Sequence, residues 1–213
     1  MKILLVAATD KELVPIQRKL EKDQPSCAIS ILITGVGMIA TTFEITKALT
    51  EERFDVAINV GIAGAFDRTL ALGNVVEVVQ DQFSEEFIED GDEWKTYEEI
   101  GLREANEFPF KNGKLLSTFQ IQHSKLTKVI GITVNAVHGN ELSIKSIVKR
   151  LNPQVESMEG AAFFYVCNQM NTPSLQIRAI SNYVEKRNRS SWEIELALDN
   201  LANAISSILM RIE

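Results

Sequence analysis

The chain has 213 residues, 45% hydrophobic and 24% charged, with a net charge of −7. That is enough for one domain with a full-sized core, and the composition is that of an ordinary globular protein. No lysine- or arginine-rich run occurs, so nucleic acid is not expected as a partner, because phosphate binding needs concentrated positive charge. The opening apolar run is too short for a secretory leader, and no segment has the length of a membrane span, so a soluble cytoplasmic protein is expected.

Strand and helix signals alternate along the chain. "KILLVAA" (2–8) reads as a buried strand, and 10–22 as a helix with Leu13, Ile16 and Leu20 on one face. Pro15 fits that helix only near its first turn. "AISILIT" (28–34) is a second strand, followed by the turn "GVG" (35–37) and a helix over 38–50. "DVAINV" (55–60) is a third strand, running into "GIAG" (61–64), whose glycines either let the backbone approach a small ligand or make a tight turn. Long strands are predicted within 74–83 and 127–137, with a weaker one at "KLLST" (114–118). Between them, 84–112 is acidic, dotted with aromatics and without a clean period, which suggests a lid or a subunit contact.

The last third predicts a helix over 141–150, a short strand, a helix over 158–170 and a strand "SLQIRAIS" (174–181). A final helix carries Ile194, Leu198, Leu201, Ile205 and Leu209 at helical spacing, opened by a Ser190–Glu193 capping box. Short apolar strands with intervening helices imply a largely parallel sheet covered on both faces. One domain spanning residues 1–213 is expected.

If the strands are mostly parallel, their tips gather at one edge, where open α/β sheets bind ligands. Those tips deliver "ATDKE", "TGVG", "VGIAG", "NAVHG", "ESMEG" and "ISN". Glu12 has two readings. It completes a capping box with Thr9, or it is a general base just beyond the first strand. "GVGMIA" matches a loose dinucleotide fingerprint, but the acid expected at the end of the next strand is missing. Gly35 and Gly37 more simply let backbone amides approach a small ligand. Glu159 either sits favourably at a helix N-terminus or faces a pocket kept small by Gly160, Ala161 and Ala162, where it could accept hydrogen bonds from a sugar diol. His123 and His138 read as ordinary hydrogen-bonded residues. Cys27 and Cys167 read as buried thiols, and no spacing suggests a metal site.

Taken together, "VAATDKEL", "TGVGMIATT", "NVGIAGAF", "VESMEGAAFFYVC" and "IRAISN" resemble the nucleoside phosphorylase/nucleosidase superfamily over nearly the whole chain. "SMEGAA" and "RAISN" are the specific elements. The resemblance implies a three-layer α/β/α sandwich around a mixed, partly barrel-like sheet, a homodimer or larger homo-oligomer, a small nucleoside as ligand, and no cofactor. It also implies roles. Glu12 stands where the hydrolases of the family place the carboxylate that activates water, and no arginine accompanies "TGVG" as phosphate binding would require. Met158 and Glu159 would hold the ribose hydroxyls, with Gly37, Ala63, Gly64 and Ser181 lining the same site. The methylthioadenosine/adenosylhomocysteine nucleosidases carry aspartate where this chain has Asn182. A carboxamide can donate to N7 and O6 of a 6-oxopurine, which an ionised aspartate would repel. Arg187, Arg189 or Lys186 is expected, from charge alone, to meet a ligand carboxylate. A 6-aminopurine nucleosidase, a phosphorylase and a non-catalytic nucleoside-binding protein remain alternatives.

Overall fold

A computed structural model describes residues 1–91, 93–122 and 124–212. Strand β1 (Lys2–Ala7) leads to helix α1 (Asp10–Asp23), β2 (Ala28–Ile33), α2 (Met38–Glu51) and the long β3 (Val56–Ala65). Next come β4 (Val75–Asp81), a hairpin of β5 (Phe87–Asp90) and β6 (Glu93–Thr96), then β7 (Leu115–Leu116) and β8 (Thr127–Thr133). The chain ends with α3 (Glu141–Leu151), β9 (Val155–Ser157), α4 (Gly160–Gln169), β10 (Ser174–Tyr183) and α5 (Ile194–Leu209).

The central sheet is mixed and partly closed. It runs β10-β4-β8-β9-β3-β1-β2, and β10 also pairs with β3, so β3, β10, β4, β8 and β9 form a ring. Within it, β10 is parallel to β3, while β4 and β9 pair antiparallel to β10 and β3. Helices α1 and α5 pack on each other and cover one face through a core that includes Leu5, Leu13, Ile58, Ile177, Leu201 and Ile205. Helices α2 and α4 cover the other face through Val6, Ile45, Phe163 and Phe164. This is the three-layer α/β/α sandwich with a mixed sheet. Each fully buried large apolar side chain contributes about 1.5–3 kcal/mol, so both layers depend on the alternation of strand residues between the two helical faces.

Several local expectations need correction. "GIAG" is not a turn: residues 61–64 continue β3, paired with β10 throughout. Glycine is required there by contact rather than by chain reversal. A Cβ on Gly61 would meet the Glu12 carboxylate at 2.6 Å and the Arg178 guanidinium closer still. The Ser190–Glu193 capping box does not form. Asn188 instead accepts from Ser190 N at 3.2 Å to cap a 3-10 turn over Arg189–Ser191, and Trp192 then takes an extended conformation that interrupts the helical path. Glu193 N–H donates to Ser181 O at 2.8 Å, tying the start of α5 to the tip of β10.

Pro15 lies inside α1, beyond its first turn. The carbonyl left without a helical partner belongs to exposed Lys11, where water can reach it. Cys27 is half-buried rather than buried, while Cys167 is enclosed and its thiol is pushed well up by burial. The tips of β1, β2, β3 and β10 gather because those four strands are parallel, and β9, folding back antiparallel onto the end of β3, adds Glu156 and closes the ring.

The excursion at 84–112 holds the β5–β6 hairpin and a run of turns. Arg150 of α3 stacks over both Phe87 and Trp94, 4.4 Å from each ring centroid. Arg103 bridges Glu86 and Glu98 at 2.7 and 2.6 Å. The Arg150 contact pins the hairpin to α3, and the Arg103 pairs hold the excursion together internally.

Candidate active site

A cavity of about 340 Å³ opens at the gathered strand tips, lined by Glu12, Ala63, Gly64, Met158, Glu159, Ser181, Asn182 and Arg187, among others. Val36, Ile62, Val137, Trp192, Ile194 and Leu198 give it apolar walls. Such a mixture of apolar lining and a few convergent polar groups is typical of a small-molecule site.

Glu12 caps α1 with one oxygen and turns the other toward β3. Its Oε2 accepts from Thr9 N at 3.1 Å and Thr9 Oγ1 at 3.0 Å, which closes the turn that begins α1. Its Oε1 points across to β3 and accepts from Ile62 N at 3.2 Å. The cap therefore fixes the carboxylate that faces the cavity, and Glu12 is only 9% exposed.

Glu159 precedes α4 but does not cap it, since no side-chain cap bond forms there. Its Oε1 instead accepts from Gly37 N at 3.0 Å, across on the β2–α2 turn. Gly37 has φ +93°, a conformation that favours glycine and that aims its N–H at the carboxylate. Burial pushes the Glu159 carboxyl above the usual range, opposed by the nearby Arg178 cation and the Gly37 N–H.

Asn182 owes its position to an irregularity. The β10–β3 register shifts between Ile180 and Asn182, a bulge that re-aims side chains near a strand end. Ser181 Oγ donates to Asn182 Oδ1 at 2.8 Å, and Asn182 Nδ2 donates to Tyr183 O at 3.1 Å. The amide oxygen is thus occupied and the second N–H remains to donate. Arg187 lines the cavity, with its guanidinium 5.3 Å from the Trp192 ring centroid. Arg189 stacks on the same ring at 5.8 Å but does not line the cavity. Gly37 touches the site through its bond to Glu159 rather than as a wall.

Sequence reasoning missed Arg178. It is 1% exposed, its Nε donates to Gln176 Oε1 at 3.0 Å, and its Nη2 donates to Asn59 Oδ1. Nη2 also lies 3.9 Å from Glu159 Oε2. The network runs on into the ring. Gln176 Nε2 donates to Asp81 Oδ2 at 3.0 Å, and Asp81 Oδ1 accepts from Thr133 Oγ1 at 3.0 Å and Gln82 N at 2.8 Å. Burial raises the Asp81 carboxyl to about 6, against those hydrogen bonds. The signal was available: Gln176 and Arg178 alternate on one face of an otherwise apolar strand, which buries a cation and so demands partners.

His138 also lines the cavity, with Nδ1 2.6 Å from Glu156 Oε2. His123 lies outside the described residues. Among the described residues, no cluster of three or more potential metal ligands occurs, and no helix is long and apolar enough to cross a membrane.

With this fold and site, the family assignment follows. The chain belongs to the Phosphorylase superfamily, whose family model matches residues 16–212. Among individual relatives, it is similar to the futalosine hydrolase of Thermus thermophilus, 25% identical over 181 residues that cover 84% of this chain and 80% of the relative. Two solved structures from Helicobacter pylori share the fold with a TM-score of 0.80 and 15% identity: a 5′-methylthioadenosine/S-adenosylhomocysteine nucleosidase and a futalosine hydrolase. Each match covers 100% of this chain, and 99% and 98% of the respective neighbours.

Proposed function

We propose that the protein is a hydrolase that cleaves the N-glycosidic bond of a 6-oxopurine nucleoside, with futalosine as substrate and hypoxanthine and dehypoxanthinyl futalosine as products. That reaction belongs to menaquinone biosynthesis. The observation that carries the reading is Asn182: with its oxygen held by Ser181, it offers an N–H donor where the purine edge would lie. A 6-oxopurine presents N7 and O6 as adjacent acceptors to that donor.

Cleavage passes through a sugar with oxocarbenium character. The bond from C1′ to N9 breaks, its electron pair leaves with the base, and water attacks C1′. Glu12 takes the proton from that water, a step that contributes about 10² to 10⁴ in rate when the base is well positioned. Glu159 accepts hydrogen bonds from the 2′ and 3′ hydroxyls, and its charge lies near the developing cation. Arg178 sets a positive charge beside the Glu159 carboxylate and opposes the cost of burying it. Its guanidinium and Glu12 converge on the space left by Gly61, and its Nη2 reaches toward Glu159. Asn182 donates to the base as negative charge builds there, and the proton on N7 comes from solvent. No step needs a cofactor.

Arg187, beside Trp192, is proposed to meet the carboxylate of the substrate's 5′ tail. Arg189 supports the same ring from outside the cavity. A homo-oligomer is also proposed, on the exposed apolar residues Val36, Ile39 and Phe43 at and along α2. Sedimentation as a monomer would remove it.

Phosphate dependence separates hydrolysis from phosphorolysis. Base release should proceed undiminished in phosphate-free buffer. Turnover that appears only when phosphate is added would make the protein a phosphorylase. The competing reading, a 6-aminopurine nucleosidase, has in its favour that a neighbour of equal TM-score bears that activity's name.

A further inference from the structure

The mechanism leaves one part-buried pair at the cavity unused. His138 follows β8 and Glu156 sits in β9, and their side chains meet at 2.6 Å. Glu156 is 4% exposed and also accepts from His138 N at 3.1 Å, so both of its oxygens are spent on this one residue. Phe66 packs edge-on against the imidazole at 6.0 Å. A carboxylate at Nδ1 puts the proton on that nitrogen and leaves Nε2 as the free nitrogen of the ring. Among the described residues, Nε2 has no hydrogen-bond partner.

The placement of this pair follows from the sheet register. Asn182 pairs with Gly64 across β10 and β3, and Gly64 pairs with Glu156 across β3 and β9. Asn182, Gly64 and Glu156 therefore form one row at the floor of the cavity. Two inter-strand spacings separate the outer residues, roughly 10 Å. Gly64, in the middle of the row, has no side chain, and a Cβ there would meet Val184 Cγ2 at 3.0 Å, Asn182 Nδ2 at 3.2 Å and Glu156 Cγ at 3.6 Å. The cavity beside Gly64 is open between the outer two residues, and a flat aromatic ligand in it would have Asn182 at one edge and the His138–Glu156 pair at the other.

We propose that His138, positioned by Glu156, reads the N1 position of the purine. The inference rests on the 6-oxopurine reading given above. A 6-oxopurine carries hydrogen on N1, a donor that Nε2 can accept. A 6-aminopurine has a lone pair at N1, which would face the lone pair of Nε2. His138 and Asn182 then test two parts of the same lactam, N1–H on one side and O6 with N7 on the other. His138 is the specificity-determining residue, and Glu156 is a positioning residue that fixes the tautomer. A site built to bond a particular hydrogen rejects analogues lacking it far more strongly than shape alone does.

Calorimetric titration of the full chain with hypoxanthine, 1-methylhypoxanthine and adenine tests this. The wild type should bind hypoxanthine at least about tenfold more tightly than 1-methylhypoxanthine, the loss expected for one hydrogen bond in a buried site. His138→Leu should bring that ratio close to one. His138→Gln, whose amide oxygen can accept from N1–H, should restore part of it, which a purely steric contact would not. Glu156→Leu, with the ring no longer oriented, should shrink the ratio without abolishing binding. If the His138 variants weaken both hypoxanthines equally, the residue is structural and the inference falls while the 6-oxopurine reading stands. If the wild type binds adenine more tightly than hypoxanthine, that reading fails and this inference with it. Should His138→Leu not fold, as judged by its thermal melt, the ratio in His138→Gln decides: a wild-type preference that survives with no change at all also overturns the inference.

Discussion

Replacing Glu12 by glutamine should separate catalysis from capping. The wild-type carboxylate accepts three hydrogen bonds, from Thr9 N, Thr9 Oγ1 and Ile62 N. Glutamine keeps one oxygen and turns an NH2 toward at least one of those donors. Losing a helix-capping interaction costs about 0.5–2 kcal/mol, so Tm should fall by roughly 1–8 °C for a domain of this size. Activity should fall far more, by about 10² to 10⁴, because the amide cannot take a proton from water. The control is Thr9→Ala, which removes one partner of the cap and leaves the carboxylate. It should lose stability of the same order yet keep activity within about tenfold, the equivalent of one modest hydrogen bond. Base release measured chromatographically, with calorimetric melts on the same samples, gives both quantities. The reasoning is refuted if Glu12→Gln retains more than about a tenth of wild-type activity, or if Thr9→Ala is as inactive as Glu12→Gln.

Other outcomes follow from the same geometry. Asn182→Asp would set a carboxylate oxygen against Tyr183 O, where Nδ2 now donates, and against the purine's O6. Its kcat/KM for 6-oxopurine nucleosides should drop by at least about 10², toward the 10⁴ to 10⁵ that mismatched buried polar groups reach. An unchanged substrate preference would mean the base is read elsewhere. Asp81, whose folded pKa is raised from 3.8 to about 6 by burial, favours the native state in its protonated form. Its contribution is complete below pH 4 and is lost as pH rises through about 6, a change of about 3 kcal/mol at roughly 1.4 kcal/mol per unit. Urea melts should therefore show wild type losing stability relative to Asp81→Asn between pH 4 and 7, and parallel pH curves would contradict the assigned cause.

What the sequence disclosed was governed by distance along the chain. Glu12, Glu159 and Asn182 could be singled out because each is a polar residue placed where an apolar run ends, and a strand tip is a local pattern. The helices were legible for a similar reason: α5 repeats Leu198, Leu201, Ile205 and Leu209 at helical spacing. Even there, the start of α5 was misread, because Trp192 is drawn into the cavity wall by tertiary packing that overrides a valid capping motif.

Closure of the ring was the hidden part. Gly64 and Glu156 become neighbours only when β9 folds back onto β3, and that pairing sets His138 in the cavity wall beside Glu156. Arg178 was passed over because a cation inside a strand is intelligible only once Asn59, Gln176 and Glu159 are known to surround it. The packing demand at Gly61 is hidden for the same reason. Its missing side chain makes room for Glu12 and Arg178, which arrive from β1's end and from β10. Capping does not exclude a second role for Glu12, since a carboxylate has two oxygens and only Oε2 is spent on the cap.

The most direct test is the identity of the base released in phosphate-free buffer from equal concentrations of futalosine, inosine, methylthioadenosine and adenosylhomocysteine. Hypoxanthine from futalosine, with no adenine from the other nucleosides, is the expected result and would join the water-activating Glu12 to the lactam-reading Asn182. Adenine released in preference to hypoxanthine would contradict it and make the protein a 6-aminopurine nucleosidase.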